Sequence, residues 1–535
     1  MKQLPILLAQ QLSGLGIQFA FGIPGGPFIP FMEAFKNQGI RVITTANEQS
    51  AGIMADVYSR LTGLPGVCFA TFGPGATNLS TGVGTAYLDR SALIALSSEL
   101  PEKDQGRRIQ MNVDHQQIFT PVTKWTSRVD ENNWFDEFQT GLTKAYQEYP
   151  GPFHIGIPTD ISEGVDVDDH LSMPEAFDAR PDDSTFDRLQ ARIRQAKKPL
   201  LVLGLSAKRA HIDTTLQQAI EKHRIPVVIT PMAKGILPHQ HPNYVGVLFH
   251  AATNHVAETY RQADLIIALG YDTIEFSYES WAPDVDILHI DTEPVDIRGH
   301  HGKVTDVISS MNHVASWLLD LEPVTTAWDF DEIARHKAAM FTALTPKTEH
   351  MNPSDVLQTV HEVIADNAIV TLDVGAHTHL IGQLWEVKPG SELIMTNGWS
   401  SMGFAIPSAM AAKLAYPERQ VVTFVGDGCF LMNCGELMVA KREGIPFVTV
   451  VLVDHDYTLI KVKQDWKHVP HYATQVNETE YFEADRFLGV PVLTVRSVTE
   501  LKGAMEQGLQ QMEPVIIEAF VDGTIYHDLI IREYK

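Results

Sequence analysis

Short apolar runs rich in β-branched residues alternate with segments of helical apolar spacing along almost the whole chain. Such runs are typical of buried parallel strands, and their alternation with helices indicates an α/β protein. They fall into three groups, which predict a first domain over 1–164, a central Rossmann-like domain over 185–340 and a third domain over 352–535. Residues 165–184 are acidic, contain two prolines and lack periodicity, which indicates a linker. We therefore expect three domains, each an open, mostly parallel sheet flanked by helices.

Residues 421–457 have the pattern of a single βαβ unit. Two apolar runs, Val421–Val425 and Phe447–Val453, flank a segment of helical spacing at Met432–Glu443. A right-handed crossover of this kind places the carboxyl ends of both strands at the same edge of the sheet. That edge is where open α/β sheets bind their ligands.

An aspartate follows each of these runs, so we expect Asp427 and Asp454 to be neighbours in space. Two adjacent carboxylates repel unless a cation lies between them, and Mg2+ is commonly held by one or two carboxylates together with phosphate oxygens. The glycines of Gly426–Asp427–Gly428 allow the backbone to approach a phosphate closely. The unit therefore predicts a phosphate-bearing ligand held through a metal, although Gly-Asp-Gly alone is also a common tight turn.

Composition narrows the functional classes. The 535 residues carry a formal net charge of −25, which argues against nonspecific binding to nucleic acid or anionic membranes. No apolar run approaches the roughly 18 residues of a membrane span, and the N-terminal segment is too polar for a signal sequence. The three cysteines do not have the spacing of a disulfide framework or a zinc site. We expect a cytoplasmic enzyme that binds neither nucleic acid nor membranes.

Glu48 is a second candidate for chemistry. It follows a predicted strand and precedes a helix that we expect to begin near Ser50. An acidic residue there either favours the positive end of the helix or, if it faces a pocket, exchanges a proton with a ligand.

Two further strand ends carry glycine-rich turns. The cluster at 73–75 permits close approach of the backbone to a ligand, with Thr77 or Asn78 as candidate helix caps. His377, at the end of another predicted strand, either reaches a phosphate or is a surface histidine.

Eight features occur in the order found in thiamine diphosphate-dependent enzymes. They are FGIPGG at 21–26, Glu48, TFGPGATN at 71–78, PVTKW at 121–125, GPFHIGIP at 151–158, DVGAH at 373–377, MGFAIPSAM at 402–410 and GDGCF at 426–430. The sequence resembles the acetolactate synthase branch along essentially its whole length, and is most similar to its flavin-free catabolic type. This resemblance implies a pyrimidine-binding first domain, a diphosphate-binding third domain, and active sites between the chains of a homodimer or homotetramer.

The resemblance also implies roles for individual residues. Asp427, Asp454 and the backbone carbonyl of Asp456 would bind Mg2+. Glu48 would hydrogen-bond the aminopyrimidine ring of thiamine diphosphate and so assist proton removal from its thiazolium, with Gly26 and Gln110 also in the catalytic site. The other cofactor-binding positions would be Gly375, Ala376, His377, Ser400, Met402, Gly426, Gly428, Cys429, Tyr457 and Thr458.

Some positions depart from the family pattern. Asp454 stands where the family usually has Asn, so metal affinity should depend more on pH. Glu99 and Gln110 fall where the biosynthetic acetolactate synthases carry Gln and Phe, and Thr159 where they carry Lys. Leu269–Trp281 lacks the arginine-bearing segment of the flavin-binding type. We therefore expect thiamine diphosphate and Mg2+ as cofactors, but not FAD.

The implied activity is decarboxylation of pyruvate and transfer of the two-carbon unit to a second 2-oxo acid, which gives an acetohydroxy acid. Two alternatives remain open: a decarboxylase that releases an aldehyde, and a non-catalytic nucleotide-binding protein. Simple decarboxylases of this superfamily tend to carry two adjacent histidines in the first domain and a glutamate where this chain has Ile460. Here the nearest histidine is His115, and Lys461 or Lys463 could instead hold the carboxylate of an acceptor. These differences favour carboligation.

Overall fold

The computed structural model describes residues 2–147, 149–165, 167–275, 281–482 and 484–530. Three separate, mostly parallel sheets organise these residues, and each is flanked by helices. The predicted fold class is therefore confirmed. Within the described residues, no helix combines the length and apolar character needed to cross a membrane.

The first sheet is formed by the N-terminal part of the chain. The strands of this part are β1 (Lys2–Gln3), β2 (Phe19–Gly22), β3 (Arg41–Thr44), β4 (Gly66–Ala70), β5 (Leu93–Glu99), β6 (Trp125–Arg128), β7 (Pro152–Pro158) and β8 (Glu163–Gly164). Its helices are α1 (Leu4–Gly14), α2 (Ile29–Asn37), α3 (Glu48–Thr62), α4 (Pro74–Leu88), α5 (His115–Phe119) and α6 (Trp134–Tyr146). Six strands lie parallel in the order β3-β2-β4-β5-β7-β6, while β1 and β8 form a separate antiparallel pair.

The central part of the chain forms a second six-stranded parallel sheet. Its helices are α7 (Asp183–Gln195), α8 (Leu205–Arg209), α9 (Asp213–His223), α10 (Thr253–Tyr260), α11 (Met311–Asp320) and α12 (Phe330–Leu344). Its strands are β9 (Pro199–Leu203), β10 (Val227–Ile229), β11 (Tyr244–Val247), β12 (Leu265–Leu269), β13 (Asp286–Asp291) and β14 (Val304–Ile308), in the order β11-β10-β9-β12-β13-β14. Of the segment that distinguishes flavin-binding relatives, residues 276–280 lie outside the described residues.

The third sheet has seven strands. Its helices are α13 (Pro353–Val363), α14 (Ala376–Leu384), α15 (Ala405–Ala415), α16 (Asp427–Asn433), α17 (Gly435–Glu443), α18 (Thr458–Trp466), α19 (Val498–Gly508) and α20 (Tyr526–Leu529). Its strands are β15 (Ile369–Leu372), β16 (Glu392–Ile394), β17 (Val421–Gly426), β18 (Val448–Val453), β19 (Arg486–Phe487), β20 (Val490–Val495) and β21 (Val515–Phe520). The order is β16-β15-β17-β18-β21-β20-β19, and only β19 runs antiparallel to its neighbour.

The predicted βαβ unit is present, but its helical part differs from the prediction. The helical spacing read from the sequence began at Met432, whereas helix α16 starts directly after β17 at Asp427, and α17 follows after Cys434. The glycines around Asp427 hide this first helix, because Gly is a poor helix former and breaks the apolar pattern. The strands β17 and β18 are adjacent and parallel, with Gly426 opposite Leu452.

The first and third sheets share one hydrophobic core. Helix α3 of the first domain packs on α15 of the third, and buried alanines from both helices belong to the same apolar cluster. On its other side α3 packs on α4, where a Cβ atom added to Gly52 would lie 2.7 Å from the Cα of Gly82. This packing fixes where Glu48, the first residue of α3, lies relative to the third sheet.

Candidate functional site

The predicted pair of carboxylates lies at the carboxyl end of the third sheet. Asp427 and Asp454 follow the adjacent strands β17 and β18, and Asp427 is only 2% exposed. Burial, followed by the negative charge of Asp454, raises the pKa of Asp427 to about 7. Burial also raises the pKa of Asp454. The prediction that the two carboxylates are neighbours is confirmed.

Backbone and hydroxyl donors hold these carboxylates in place. The Asp427 carboxylate accepts hydrogen bonds from the backbone N–H groups of Gly428 (2.9 Å) and His455 (2.8 Å). The Asp454 carboxylate accepts one from the Thr458 hydroxyl (2.5 Å). Because each carboxylate oxygen has two lone pairs, oxygen ligands remain for a cation.

Asp456 can supply a third oxygen ligand. A short antiparallel bridge pairs Asp456 with Gln475, and its hydrogen bonds use the residues on either side of Asp456. Among the described residues, the backbone carbonyl of Asp456 therefore accepts no backbone hydrogen bond. Its side chain forms an ion pair with Lys461, so this lysine already has an acidic partner.

His377 lies beside this carboxylate edge, at the start of α14. It is 5% exposed, so the interpretation as a surface histidine is wrong. Its ring lies against Gly375 and Gly426, where an added Cβ atom would approach to 3.0 and 3.3 Å. Burial lowers the pKa of His377 to about 4, and its Nε2 atom has no hydrogen-bond partner among the described residues. This buried nitrogen is therefore available to a ligand or a water molecule.

The remaining predicted phosphate-side residues surround the same edge. Ala376 is the first residue of α14, whose initial N–H groups have no partner within the helix. A side chain at Gly428 would collide with the ring of Tyr457, so only glycine fits there. The Cys429 thiol donates to the carbonyl oxygen of Val374 (3.0 Å), and burial holds its pKa well above the usual value. Cys429 is therefore a neutral thiol that helps to fix the turn.

Asp373, which had no predicted role, organises the loop that carries Ser400 and Met402. Its buried carboxylate accepts hydrogen bonds from the backbone N–H groups of Gly403 and Ala405, each at 2.9 Å. Ser400 is exposed, and its backbone lies in the left-handed region with φ of 52°. The only feature of the sequence that pointed to this role of Asp373 was its position at the end of a predicted strand.

Glu48 occupies a defined and largely buried position in the first domain. It is 8% exposed, and its carboxylate accepts a hydrogen bond from the side-chain amide of Asn78 (3.1 Å). Helix α3 begins at Glu48 rather than near Ser50, because the side chain of Asn47 already caps the helix. Asn78 does not cap α4, whose N-cap is Gly73. Asn78 holds Glu48 instead.

The structure gives less support to two other predicted catalytic positions. Gly26 is exposed, and a Cβ atom there would meet open space. The glycine that the fold requires is Gly25, where a side chain would collide with Thr71. Gln110 is exposed in a turn before α5. Catalytic roles for Gly26 and Gln110 remain predictions.

Glu436 is a buried acid that the sequence did not reveal. It is 1% exposed, and its carboxylate accepts hydrogen bonds from the backbone N–H groups of Ala46 (3.0 Å) and Asn47 (3.1 Å). Burial raises its pKa to about 7. Through Glu436, helix α17 of the third domain supports the turn that precedes Glu48.

Glu99, one of the positions that depart from the family pattern, has its negative charge paired inside the protein. Glu99 is 3% exposed and pairs with the guanidinium of Arg128 (2.5 Å) and the amide of Gln116 (2.6 Å). A side chain at Gly156 would collide with the Glu99 carboxylate. Glu99 therefore adds no unpaired charge near the first domain's strand ends.

Three family descriptions match the chain. The "Thiamine pyrophosphate enzyme, N-terminal TPP binding domain" matches residues 4–118, the central domain of the same enzymes matches 186–318, and the C-terminal TPP binding domain matches 373–519. These segments contain Glu48 and the carboxylate pair.

Similar proteins cover nearly the whole chain. It is 30% identical to the acetolactate synthase large subunit of Lactococcus lactis, over 86% of this chain and 82% of that protein. It is 28% identical to the probable acetolactate synthase large subunit of Methanocaldococcus jannaschii (96% and 91%) and 27% identical to the acetolactate synthase of Bacillus subtilis (95% and 91%). The chain therefore belongs to the thiamine pyrophosphate enzymes, in the branch of the acetolactate synthases.

Proposed function

We propose that this protein is a thiamine diphosphate- and Mg2+-dependent carboligase. It would decarboxylate pyruvate and join the two-carbon unit to a second 2-oxo acid, giving an acetohydroxy acid and CO2. The observation that carries this proposal is the buried carboxylate pair Asp427 and Asp454 beside the unpaired Nε2 atom of His377. The similarity to acetolactate synthases supports it.

The residues at the third sheet fit the cofactor. Asp427, Asp454 and the carbonyl oxygen of Asp456 would bind Mg2+, an ion that prefers oxygen ligands. The unpaired His377 nitrogen and the first N–H groups of α14 would bind diphosphate oxygens. Thiamine diphosphate supplies the carbanion chemistry of 2-oxo acid decarboxylation, while the chain supplies position and charge.

Glu48 would act as the proton-exchanging group of the site. The hydrogen bond from Asn78 fixes one carboxylate oxygen, and the other oxygen would bond the aminopyrimidine ring. Most of its side chain is shielded from water, which strengthens a hydrogen bond made there.

We further propose that the enzyme works without FAD. Side chains from the first domain contact the carboxyl edge of the central sheet. Arg90 pairs with Asp272 (2.8 Å), and the Tyr149 hydroxyl donates to Asp291 (2.8 Å). These contacts occupy part of the region where open sheets bind ligands. A stoichiometric visible flavin band in the purified protein would contradict this proposal.

We propose that the active form is a homodimer or homotetramer. Three apolar side chains on α16 and α17, next to the Asp427 turn, are about half exposed: Leu431 (47%), Met432 (53%) and Met438 (50%). An exposed apolar surface of this kind marks a contact region, and its place beside the carboxylate pair favours a second copy of the chain as the partner.

A reducing cytoplasm fits the cysteines, and we propose it as the location. Cys68, Cys429 and Cys434 are all free, and Cys68 and Cys429 are buried. The net charge of −25 also fits a protein that binds small molecules rather than nucleic acid or membranes.

For Glu48→Gln, we expect a folded protein that still binds thiamine diphosphate and Mg2+ but loses at least about 100-fold in kcat, because an amide cannot exchange the proton. Cofactor binding is measured by calorimetry and turnover by pyruvate consumption. Glu506→Gln, at an exposed position on α19, is the control. Wild-type turnover in Glu48→Gln would remove this residue from the mechanism.

For Asp454→Asn, we expect the metal-free protein at pH 8 to melt at a higher temperature than wild type, because one of two buried like charges is gone. The pKa of Asp427 is raised, so wild-type stability falls as pH rises from about 4 through about 7, and the variant should show a flatter profile. Melting is followed in EDTA from pH 5 to 8.

The same Asp454→Asn protein should need more Mg2+ for thermal stabilisation at pH 8, since one negative ligand is lost. Asp485→Asn, at an exposed position, should match wild type in both measurements. Identical pH profiles for Asp454→Asn and wild type would argue against charge repulsion at this site.

With pyruvate as the sole substrate, we expect acetolactate to exceed acetaldehyde. Ile460 cannot protonate a carbanion, and Lys461 is paired with Asp456. Products are identified by mass after incubation with thiamine diphosphate and Mg2+. Predominant acetaldehyde would establish the decarboxylase alternative, and no pyruvate consumption by a cofactor-loaded protein would establish the non-catalytic one.

For Leu431→Glu combined with Met432→Glu, we expect a lower oligomeric mass and loss of activity, because two charges replace the apolar contact. The wild-type mass should be at least twice the 59.4 kDa of one chain. Met512→Glu, at an exposed position away from α16, is the control. An active wild-type monomer in light scattering would contradict the proposed assembly.

A further inference from the structure

A buried chain of polar side chains lies in the first domain, next to the turn before α4. Ser97 is on β5, His115 on α5 and His154 on β7. The Ser97 Oγ atom lies 2.7 Å from His115 Nδ1 and 2.8 Å from His154 Nε2, and His154 Nδ1 lies 2.8 Å from the Thr126 hydroxyl. Both imidazole rings are almost fully buried.

The backbone N–H of Gly73 determines which group donates and which accepts in each of these hydrogen bonds. It lies 3.2 Å from His115 Nε2, and because a backbone N–H only donates, His115 Nε2 must accept. His115 Nδ1 then carries the proton and donates to Ser97. Ser97 donates in turn to His154 Nε2, and His154 Nδ1 donates to Thr126. Each ring nitrogen has one partner, so one tautomer of each histidine satisfies the whole chain.

The same region also has the composition of a metal site. One ligand atom from each of Glu99, His115 and His154 lies within 4.8 Å of the other two. A metal on His115 Nδ1 would force the proton onto Nε2, which would then face the N–H of Gly73 at 3.2 Å. Glu99 is also occupied by Arg128 and Gln116. The hydrogen-bond chain therefore explains these residues better than a metal does.

The turn that His115 contacts is followed by helix α4, which in turn contacts Glu48. Gly73 is the N-cap of α4 and has φ of +68°, a conformation that favours glycine. Helix α4 carries Asn78, whose amide donates to the Glu48 carboxylate. A Cβ atom on Gly75 would lie 3.4 Å from Glu48 Oε1. Only the first turns of α4 separate His115 from the Glu48 carboxylate.

We propose that neutral His115 is a positioning residue for Glu48: it accepts the Gly73 N–H, fixes the start of α4, and thereby holds Asn78 against the Glu48 carboxylate. This inference rests on the proposed role of Glu48. It also gives each nitrogen of His115 a partner within the first domain, Gly73 for Nε2 and Ser97 for Nδ1, so His115 is not the proton donor of a simple decarboxylase.

The surroundings of His115 keep it neutral. Burial and, to a smaller extent, the positive charge of Arg128 lower the pKa of His115 to about 4, while the negative charge of Asp114 opposes both. Glu99 lies 3.9 Å from His115 Nδ1, and burial holds the pKa of His154 well below its usual value. Because the folded pKa of His115 is depressed, its contribution is complete above about pH 6.5 and is lost as the pH falls towards 4.

Two substitutions test the two hydrogen bonds of His115 separately. In His115→Gln, the amide oxygen can reach the position of Nε2 and accept the Gly73 N–H. In His115→Asn, the shorter amide can still donate to Ser97 but cannot reach Gly73. The control is His223→Asn, because His223 is also buried, accepts a backbone N–H from Val324 and bonds the Leu318 carbonyl oxygen, but lies in the central domain.

The first measurement is hydrogen–deuterium exchange over residues 71–79 in the cofactor-free protein. The second is kcat and KM for pyruvate. We expect His115→Asn to exchange faster in this segment and to lose about tenfold or more in kcat, with a smaller change in KM, because Glu48 is displaced. His115→Gln should recover most of both properties. His223→Asn should lower only the melting temperature.

Wild-type exchange and kcat in His115→Asn would overturn the proposal, and so would equal losses in the Gln and Asn variants. A stoichiometric metal that is lost in His115→Asn would establish the metal site instead. If Glu48→Gln proves fully active, the proposed function fails, while the exchange result still reports whether His115 holds the Gly73 turn.

Discussion

The burial of two like charges at adjacent strand ends is the constraint on which the rest of the site depends. Asp427 and Asp454 leave the sheet side by side, and the burial of a carboxylate is costly unless hydrogen bonds, a proton or a cation compensate it. The backbone N–H groups of Gly428 and His455 supply part of this compensation for Asp427. The remainder must come from a proton or a cation, which explains both the raised pKa and the fit to a divalent metal.

The ends of the strands could be predicted because a buried parallel strand is marked in the sequence by a short, continuous apolar run. The run before Asp427 is apolar, continuous and short, and a right-handed crossover then requires Asp454 to be its neighbour. His377 and Glu48 could be named as candidates for the same reason, since each follows such a run. For these residues the sequence predicts the position, while burial and the unpaired nitrogen of His377 emerge only from the folded chain.

The supporting residues could not be predicted because their partners are distant in sequence. Glu436 accepts hydrogen bonds from Ala46, 390 residues away, and Asp373 holds a loop about 30 residues further along the chain. Gly25 is required by Thr71, which lies on another segment of the sheet edge. Local propensity contains no information on such contacts. The start of α16 was misplaced for a local reason, since two glycines at its first turn conceal the helical pattern.

Within one chain, these supports also connect the surroundings of Glu48 to the carboxylate pair of the third domain. Glu436 is the second residue of α17, which follows the helix that begins at Asp427, and it holds the backbone directly before Glu48. The hydrogen bond from Gln49 to Ser401 (3.0 Å) ties the same helix to the loop that carries Met402. These contacts can therefore transmit a shift of the turn at Asp427 to Glu48. In the proposed assembly, where Glu48 serves cofactor held by a second chain, these contacts would join two active sites rather than the parts of one.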